Sequence, residues 1–359
     1  MPETRFSTYK GAIHIHSDLS DGTGDINLIT RAAKNAGLDF IIVTDHNHYD
    51  RDEGIINGVY VIKGEEISPL DCNHYLALGI NEKIDFCDNS QTYIDEVRAQ
   101  GGFGFAAHPD EGAGVNEGVD DSGTERKNSY HCIPWTDKNI KPDGVEIWNW
   151  FSSWADSLDD SNIFTLAYAY LFKHNLVGNP KNRTLKWWDD LNNESEKIVP
   201  ALGGVDAHAL KINKYIIPVT IFPYETCFKT ITNIIYLKEE LSNDFQTAKS
   251  QILDAIKNGN NTIVNRHISK ELPEIYIKDS QNVYSFGEEI ELRKDLCIHF
   301  ESDKLMEIRL IYNGNEEGKY SSRDLILPVT KSGKYRLEVF YRGKGFLYTN
   351  PFYVKEKAE

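Results

Sequence analysis

Histidines and carboxylates occur in short, regularly spaced groups along this chain. His14 and His16 stand two residues apart in the run GAIHIH, and Asp206 and His208 repeat that spacing in GGVDAH. Residues two apart on a β-strand project from the same face, so each pair can present two ligands together. Imidazole nitrogens and carboxylate oxygens are ligands for divalent metal ions. The spacing therefore indicates metal chemistry.

Further residues of the same two types lie where other apolar runs begin or end. Asp21 lies in the turn that follows His16, and the others lie in TDHN, GEEIS, HYLALGI and AAHP. Together these positions offer enough ligands for two or three cations, and the lack of nearby cysteine favours manganese, zinc or iron over a thiolate site. Six of the eleven histidines and three carboxylates form the predicted ligand set: His14, His16, Asp21, His46, Glu66, His74, His108, Asp206 and His208.

Such a set requires a scaffold that brings distant strand ends together. Apolar runs and helical patterns alternate through roughly the first 270 residues, which is typical of βα units around a largely parallel sheet or barrel. Barrel enzymes place their chemistry at the C-terminal ends of the strands. Asn149, just past the run EIW, could also face the site. A polar, glycine-rich loop from about 110 to 141 is long enough to be a lid.

Helical patterning is clearest in two segments. We predict a helix from about 90 to 100, and an earlier one that Asp25 caps and Gly37 ends. The predicted apolar face of that earlier helix consists of Leu28, Ile29, Ala32, Ala33 and Ala36.

The pattern changes near Ser269, where short alternating segments such as EIYIKD, MEIRLIYNG and YRLEVFY replace helical periodicity. Segments of this kind separated by Gly, Asn and Pro are typical of a small β-sandwich. We therefore predict two domains, a metal-binding domain over 1–267 and an all-β, sandwich-like domain over 268–359.

Composition limits the possible partners. The 359 residues include 55 acidic and 39 basic residues, a net charge of −16, which disfavours binding to extended nucleic acid and favours a small ligand. Five scattered cysteines are typical of reduced thiols, and no apolar run reaches the roughly 18 residues of a membrane span. We expect a cytoplasmic protein that does not enter a membrane. The oligomeric state is open.

The motifs HIHSDLSDG, TDHN, GEEIS with a following HYLALGI, AHP and GGVDAH occur in that order. In this they resemble the PHP superfamily of polymerase-associated and histidinol-phosphatase-like metal-dependent phosphoesterases, over roughly residues 8–270. The resemblance implies an α/β fold, a distorted (β/α)7 barrel, with up to three metal ions. It selects Glu66 rather than Glu65 because of the spacing from Gly64.

The resemblance also implies how the ligands are shared. We also predict catalytic roles for Asp206 and His208. The acid that protonates the leaving oxygen would be either His208 or a metal-bound water. Metal one would take His14, His16, Glu66 and Asp206. Metal two would take Asp21, His46 and His208. Metal three would take His74 and His108, with Glu66 as a bridge.

These features predict a metal-dependent phosphoric ester hydrolase in which a metal-activated hydroxide attacks a small phosphate ester, a nucleotide or another phosphorylated metabolite. Three divalent ions would outweigh the three carboxylates and give a pocket that attracts anions. Two alternatives stay open. One is an amidohydrolase-type enzyme for amides or carboxylic esters, and the other is a non-catalytic, metal-bound interaction module. The leaving group is not specified by any residue.

Overall fold

The first βα unit of the computed structural model supports the site. Strand β1 (Ser7–Ile13) pairs in parallel with β2 (Phe40–Val43), and helix α1 (Ile26–Asn35) connects them. Asp25 caps α1 as predicted, because its carboxylate accepts a 2.7 Å hydrogen bond from the N–H of Leu28. The structure describes residues 6–70, 72–111, 134–155, 177–212 and 219–356.

Helix α1 ends as predicted, but its buried face is narrower than predicted. Gly37 has φ +70°, a left-handed conformation that suits glycine after a helix. Ile29 and Ala33 are fully buried, as predicted. The prediction is wrong for Leu28, which is 44% exposed, because its side chain lies beside Gly24 at the start of the helix.

A 14-stranded sheet runs through both halves of the chain, with β1 between its two arms. On one side, β2 pairs in parallel with the fourth strand, which pairs antiparallel with the third. On the other side, β1 pairs antiparallel with the twelfth strand, which pairs with the thirteenth. These strands are β3 (Gly54–Ile56), β4 (Val59–Lys63), β12 (Ile231–Leu237) and β13 (Asn261–Asn265).

A five-stranded sheet carries the middle of the chain. Its first three strands run antiparallel, and its last three run parallel. Its strands are, in order, β5 (Glu65–Ile67), β6 (Tyr75–Leu78), β7 (Phe103–Ala106), β8 (Gly144–Asn149) and β9 (Ala201–Gly204).

Two isolated bridges connect the sheets, one between Ile15 and Ala207 and the other between His46 and Glu66. The segment after β1 therefore lies against the segment after β9, and the segment after β2 lies against β5. The fold is mixed α/β with large sheets. Within the described residues the strands are assigned to separate sheets, so the predicted (β/α)7 barrel is not confirmed.

Helices cover these sheets. The second helix, predicted from about 90 to 100, is confirmed and contacts β7. A two-stranded pair, β10 (Lys211–Ile212) with β11 (Val219–Thr220), follows the five-stranded sheet. The described helices after α1 are α2 (Ser90–Ala99), α3 (Trp150–Ala155), α4 (Asn182–Glu194), α5 (Tyr224–Cys227) and α6 (Phe245–Lys257).

Every regular element between 274 and 355 is a strand, as predicted for the C-terminal region. These strands extend the 14-stranded sheet, because β13 pairs antiparallel with the twentieth strand through Thr262 and Thr349. Ile234 and Val264 also belong to their apolar core. A sandwich, and a boundary at 267/268, stay predictions. The strands are β14 (Glu274–Lys278), β15 (Val283–Tyr284), β16 (Glu289–Glu291), β17 (Cys297–Tyr312), β18 (Asn315–Pro328), β19 (Gly333–Tyr341), β20 (Lys344–Thr349) and β21 (Phe352–Lys355).

Strand β19 also holds the C-terminal end of α4. The Lys334 ammonium donates hydrogen bonds of 2.5, 2.9 and 2.6 Å to the carbonyl oxygens of Asn192, Ser195 and Lys197. The Asn192 carbonyl lies in the last turn of the helix, where it also accepts from the Ser195 N–H, and the other two carbonyls follow the helix, so a buried ammonium is a suitable cap. The C-terminal strands are thus fixed to α4 as well as to the sheet that contains β1.

Two further predictions concern parts of the chain that are only partly described. Most of the predicted lid, residues 112–133, lies outside the described residues. The four described cysteines, at 72, 87, 227 and 297, form no disulfide with one another. Among the helices that the structure describes, none is both long enough and apolar enough to cross a membrane.

Candidate metal centre

Glu66 lies at the centre of a cluster of histidines. Its Oε1 is 2.8 Å from His74 Nδ1 and 3.1 Å from His108 Nε2. Its Oε2 is 3.1 Å from His14 Nε2, 3.3 Å from His16 Nε2 and 3.0 Å from His46 Nδ1. The Glu66 side chain is fully buried. Five of the six predicted histidine ligands therefore meet at one carboxylate.

Asp206 joins this cluster from the end of β9. Its Oδ1 lies 3.2 Å from His16 Nε2, 3.6 Å from His14 Nε2 and 3.4 Å from His208 Nδ1. Both predicted pairs, HIH and DAH, therefore face the same space.

Asp21 lies on the opposite side of the cluster. Its Oδ1 is 3.2 Å from His208 Nε2 and 3.7 Å from His46 Nε2. The Asp21 side chain is 55% exposed and that of His46 is 27% exposed, whereas Glu66 is fully buried. This side is therefore the open mouth of the cluster.

All nine predicted ligands fall into four overlapping groups whose ligand atoms lie within 4.8 Å of one another. Two groups resemble the predicted first and second metal sites, but Glu66 is missing from the first and His16 joins the second. The predicted third metal differs, because His74 and His108 fall in separate groups that share Glu66. The groups are His14, His16 and Asp206; His16, Asp21, His46 and His208; His14, Glu66 and His108; and His46, Glu66 and His74.

Several buried polar atoms in this cluster have no hydrogen-bond partner among the described residues. They are His14 Nε2, both ring nitrogens of His16 and Glu66 Oε2. A buried polar atom without a partner costs free energy, and a coordinated cation would supply the partner. Mixed imidazole and carboxylate ligands without cysteine suit a first-row divalent ion. The residues therefore fit a metal centre.

Backbone strain is concentrated at three of the ligands. His14, His108 and Asp206 have φ values of +67°, +27° and +51°, although none is glycine. Such conformations are unfavourable for L-residues and are often found at functional sites. Strand β1 consequently ends at Ile13, so the prediction that His14 and His16 share a regular strand is wrong. The two imidazoles converge because the chain turns between them.

The turn that carries Asp21 is anchored by Asp45. The Asp45 carboxylate accepts hydrogen bonds from the Ser17 N–H at 2.6 Å and the Ser20 hydroxyl at 2.8 Å, and it pairs with the Arg51 guanidinium at 3.0 Å. Burial would raise the pKa of Asp45, but the Ser17 N–H and the Arg51 charge lower it. Asp45 thus holds the loop between two predicted ligands in place.

Charge concentration shifts the pKa values of the two buried carboxylates. Burial opposes ionisation of Glu66, but the charges of His46, His14 and His74 hold its pKa well below its usual range. Burial is likewise outweighed at Asp206, whose pKa the charge of His14 holds well below its usual range. Both carboxylates are therefore negative at neutral pH, which requires compensation by protons or by metal ions.

The pKa values of two of the imidazoles shift in opposite directions. Burial and the charges of His208 and His46 lower the pKa of His16 to about 4. Burial would lower the pKa of His208, but its contacts with Asp21 and Asp206 raise it to about 9. In the absence of metal, His208 is therefore protonated at neutral pH. Metal binding must displace that proton, so metal affinity should fall as the pH falls.

Glu65, the alternative to Glu66, points away from the cluster. Its Oε2 accepts a 2.9 Å hydrogen bond from the Ile84 N–H, and its Oε1 has no hydrogen-bond partner among the described residues. Burial raises the pKa of Glu65 to about 7 from an ordinary value of 4.5, against the Ile84 N–H and the Lys83 charge. The choice of Glu66 agrees with this geometry.

A Glu65→Gln variant should change the pH dependence of stability. Because the pKa of Glu65 is higher in the folded state, the folded protein binds more protons, and the free energy of unfolding falls as the pH rises from about 4.5 to about 7. The variant should lack this loss and be more stable above pH 7 by about 3 kcal/mol. Urea unfolding with a chelator at about pH 5 and about pH 8 measures it. Parallel pH profiles of variant and wild type would contradict the prediction.

Three further residues contact the ligands, and sequence reasoning did not single out two of them, Glu146 and Glu111. Glu146, in β8, lies 2.8 Å from His14 Nδ1, and Glu111 lies 2.9 Å from His108 Nδ1. Asn149, named above as a residue that could face the site, places its Nδ2 3.4 Å from Asp206 Oδ2. The available signal for Glu146 was a lone carboxylate inside the apolar run GVEIW.

No protein-family model and no curated protein matches this chain. Among solved structures it is similar to a two-domain protein from Bacteroides vulgatus ATCC 8482 that contains a predicted PHP-like metal-dependent phosphoesterase. The identity is 15% and the TM-score 0.45, over 97% of this chain and 96% of that chain. It is also similar to PsfC from Pseudomonas syringae PB-5123, at 14% identity and a TM-score of 0.37, over 70% of this chain and 96% of that one. Both similarities are distant.

Proposed function

We propose that this chain is a metal-dependent phosphoesterase that hydrolyses small phosphate esters, a nucleotide or another phosphorylated metabolite. The observation that carries the proposal is Glu66, a buried carboxylate whose oxygens lie 2.8 to 3.3 Å from ring nitrogens of five histidines. So many buried polar groups are costly unless they bind something charged. Two or three divalent ions, of manganese, zinc or iron, are the partners that these ligand types suit.

The residues that would hold the ions differ in their exposure to solvent. Divalent ions held here would acidify water and offset the negative charge of phosphoryl oxygens. Glu66 and Asp206 hold the buried side of the cluster, while Asp21 and His46 border its open mouth. A substrate would reach the cluster from that mouth. The site residues would orient the phosphate there and keep its reacting centre away from bulk solvent.

His208 has two proposed roles that compete. Its Nδ1 lies 3.0 Å from the carbonyl oxygen of Asp206, and a carbonyl can only accept, so Nδ1 carries a proton. Once a metal ion displaces the proton from Nε2, that nitrogen presents a lone pair toward the side where Asp21 lies. This tautomer favours His208 as a metal ligand. Proton donation to the leaving oxygen would require Nε2 to be free of metal, and water at the mouth is the alternative donor.

Electrostatics favours a phosphate ester over a neutral substrate. The predicted ions would outweigh the charge of Asp21, Glu66 and Asp206, which gives an attractive field for an anion. The whole chain carries a net charge of −16, which would repel a long polyanion. The proposed partner is therefore a small phosphorylated molecule rather than extended nucleic acid.

Substrate profiling with metal-loaded protein tests the proposal. Purified chain supplied with manganese, zinc or iron should release inorganic phosphate from some members of a panel of nucleotides, sugar phosphates and amino-alcohol phosphates, and a chelator should stop the release. Cleavage of amides or carboxylic esters without phosphate release would support the amidohydrolase alternative. Metal binding without any hydrolysis would support the non-catalytic module.

The same proposal includes the finer fold assignment. Seven segments would form a distorted barrel in the order β9, β1, β2, β4 with β5, β6, β7 and β8. Its closure is supported by backbone hydrogen bonds from the Val205 N–H to the Ile13 carbonyl at 3.0 Å and from the His16 N–H to the Ala207 carbonyl at 3.0 Å. Only Gly64 separates β4 from β5. We also propose the division at 267/268 and a cytoplasmic location.

A further inference from the structure

Glu146 is a buried carboxylate in the middle of an apolar strand. It lies in β8, which is buried along its whole length, and is itself 1% exposed. A carboxylate in such a place is costly unless hydrogen-bond donors surround it. Glu146 has three: Nδ1 of His14 at 2.8 Å, the N–H of His108 at 2.6 Å and the side-chain amide of Asn149 at 3.1 Å.

The contact with His14 fixes the tautomer of that ring. A carboxylate accepts hydrogen bonds, so Nδ1 of His14 carries the proton that Glu146 Oε1 receives. When the ring is neutral, as a metal ligand must be, Nε2 keeps its lone pair, and this nitrogen faces Glu66 Oε2 at 3.1 Å. Metal-ligating histidines commonly use a carboxylate in this way to orient the ring and raise its basicity.

The contact with His108 holds the backbone of that residue in place. Glu146 Oε2 accepts from the His108 N–H, and His108 has a φ of +27°, which an L-residue rarely adopts. A charge-assisted hydrogen bond can offset part of that strain. His108 Nε2 is thereby placed 3.1 Å from Glu66 Oε1. One carboxylate therefore supports two predicted ligands that come from different strands.

Strand β9 leaves room for this carboxylate by carrying a glycine. A Cβ atom added to Gly204 would lie 1.6 Å from Glu146 Oε1 and 3.1 Å from the Cβ of His14. The first of these separations is impossible without moving the carboxylate. Gly204 is therefore required for Glu146 to reach His14.

We propose that Glu146 is a positioning residue that divides its carboxylate between His14 and His108 and so controls metal binding by both. The inference rests on the proposed metal site but not on the identity of the substrate. Because His14 belongs to two of the four ligand groups, one of which also includes His108, loss of Glu146 should weaken binding of more than one ion. Loss of a supporting partner of this kind typically lowers metal affinity 10- to 100-fold, about the effect expected here.

Metal binding by a set of variants tests the inference. Glu146→Ala, Glu146→Gln and Gly204→Ala would be compared with Glu65→Gln, a matched change at a buried glutamate that faces away from the cluster. Bound metal is counted by elemental analysis, and manganese and zinc affinity is measured by titration calorimetry of the metal-free proteins. Circular dichroism and thermal unfolding of the metal-free proteins check the fold.

The expected order follows from the number of acceptors. Glu146→Ala should lose about 10- to 100-fold in metal affinity. Glu146→Gln has one acceptor oxygen for three donors and should be intermediate. Gly204→Ala should resemble Glu146→Ala although it keeps the carboxylate. Glu65→Gln should bind as wild type does.

Three outcomes would overturn the inference or its basis. Unchanged metal affinity in Glu146→Gln and Gly204→Ala overturns it, as does a loss of metal-free stability with normal metal affinity, which would mean a purely structural role. A wild-type chain that binds no divalent metal overturns the metal site as well. Metal affinity that depends on Glu146 without phosphate release overturns only the proposed activity and supports the positioning role.

Discussion

A Glu66→Gln variant is expected to lose most of its bound metal and to fall at least about 1,000-fold in the rate of phosphate ester hydrolysis. Glu66 is the carboxylate on which five histidines converge, so its charge serves most of the predicted ion positions. Glutamine keeps the volume but removes the negative charge and one acceptor oxygen. The loss should therefore exceed the 10- to 100-fold that follows removal of a supporting partner alone.

Glu65→Gln is the matched control, because Glu65 is the adjacent residue, equally buried and directed toward Ile84 instead of the histidines. It should retain metal and hydrolysis. Metal content by elemental analysis and initial rates of phosphate release at saturating metal measure the two variants. Equal metal content and equal rates in both variants would show that Glu66 is not a ligand.

An Arg336→Ala variant is expected to lower the free energy of unfolding by about 3 to 5 kcal/mol. Arg336 donates to both carboxylate oxygens of Asp189 in α4, at 2.9 and 2.7 Å, and to Glu338 at 2.6 Å. Its guanidinium also lies over the ring of Trp188, and only 4% of the side chain is exposed. The variant leaves the buried carboxylates of Asp189 and Glu338 without their cationic partner, and these uncompensated charges destabilise the fold.

Arg309→Ala provides the comparison. Arg309 pairs with Glu307 at 3.2 Å, but both side chains are about one-third exposed, so solvent screens the pair. Its loss should cost no more than about 1 kcal/mol. Urea unfolding of both variants, with metal removed by chelator, measures the difference. If the two variants unfold at the same urea concentration, the Arg336 network does not contribute as the geometry indicates.

Helix α4 links that network to the metal centre. Its C-terminal half holds Arg336 through Asp189, and its N-terminal part reaches Asp110, which lies two residues after His108. The Arg183 guanidinium pairs with the Asp110 carboxylate, and the Thr184 hydroxyl donates to it. The C-terminal strands and the His108 segment therefore contact opposite ends of the same helix.

Local sequence patterns determined several features of this protein. An Asp three residues before a periodic apolar stripe predicted the cap of α1, because capping depends only on neighbouring atoms. Alternation predicted the all-β character of the C-terminal region, because side chains on a strand alternate between faces. The types and order of the nine predicted ligands were also readable, since ligand chemistry depends on the side chain itself.

Local patterns failed where the backbone departs from regular geometry. The shared face expected for His14 and His16 assumed an extended strand, whereas His14 has a left-handed φ and the strand has already ended at Ile13. Leu28 was predicted on the apolar face of α1, but it is 44% exposed, so the buried part of that face is narrower than its set of apolar residues. Helical and strand periods describe regular elements and not their ends.

The tertiary structure alone decided which distant segments meet. It placed Glu146 between His14 and His108, it required glycine at position 204, and it joined β13 to β20 across some eighty residues of chain. The reason is physical: spacing along a chain fixes the direction of neighbouring side chains, but strand pairing and close packing fix the distances between remote ones. The sequence by itself supplied the candidate ligands of a metal site, and only the fold gave each of them its neighbours.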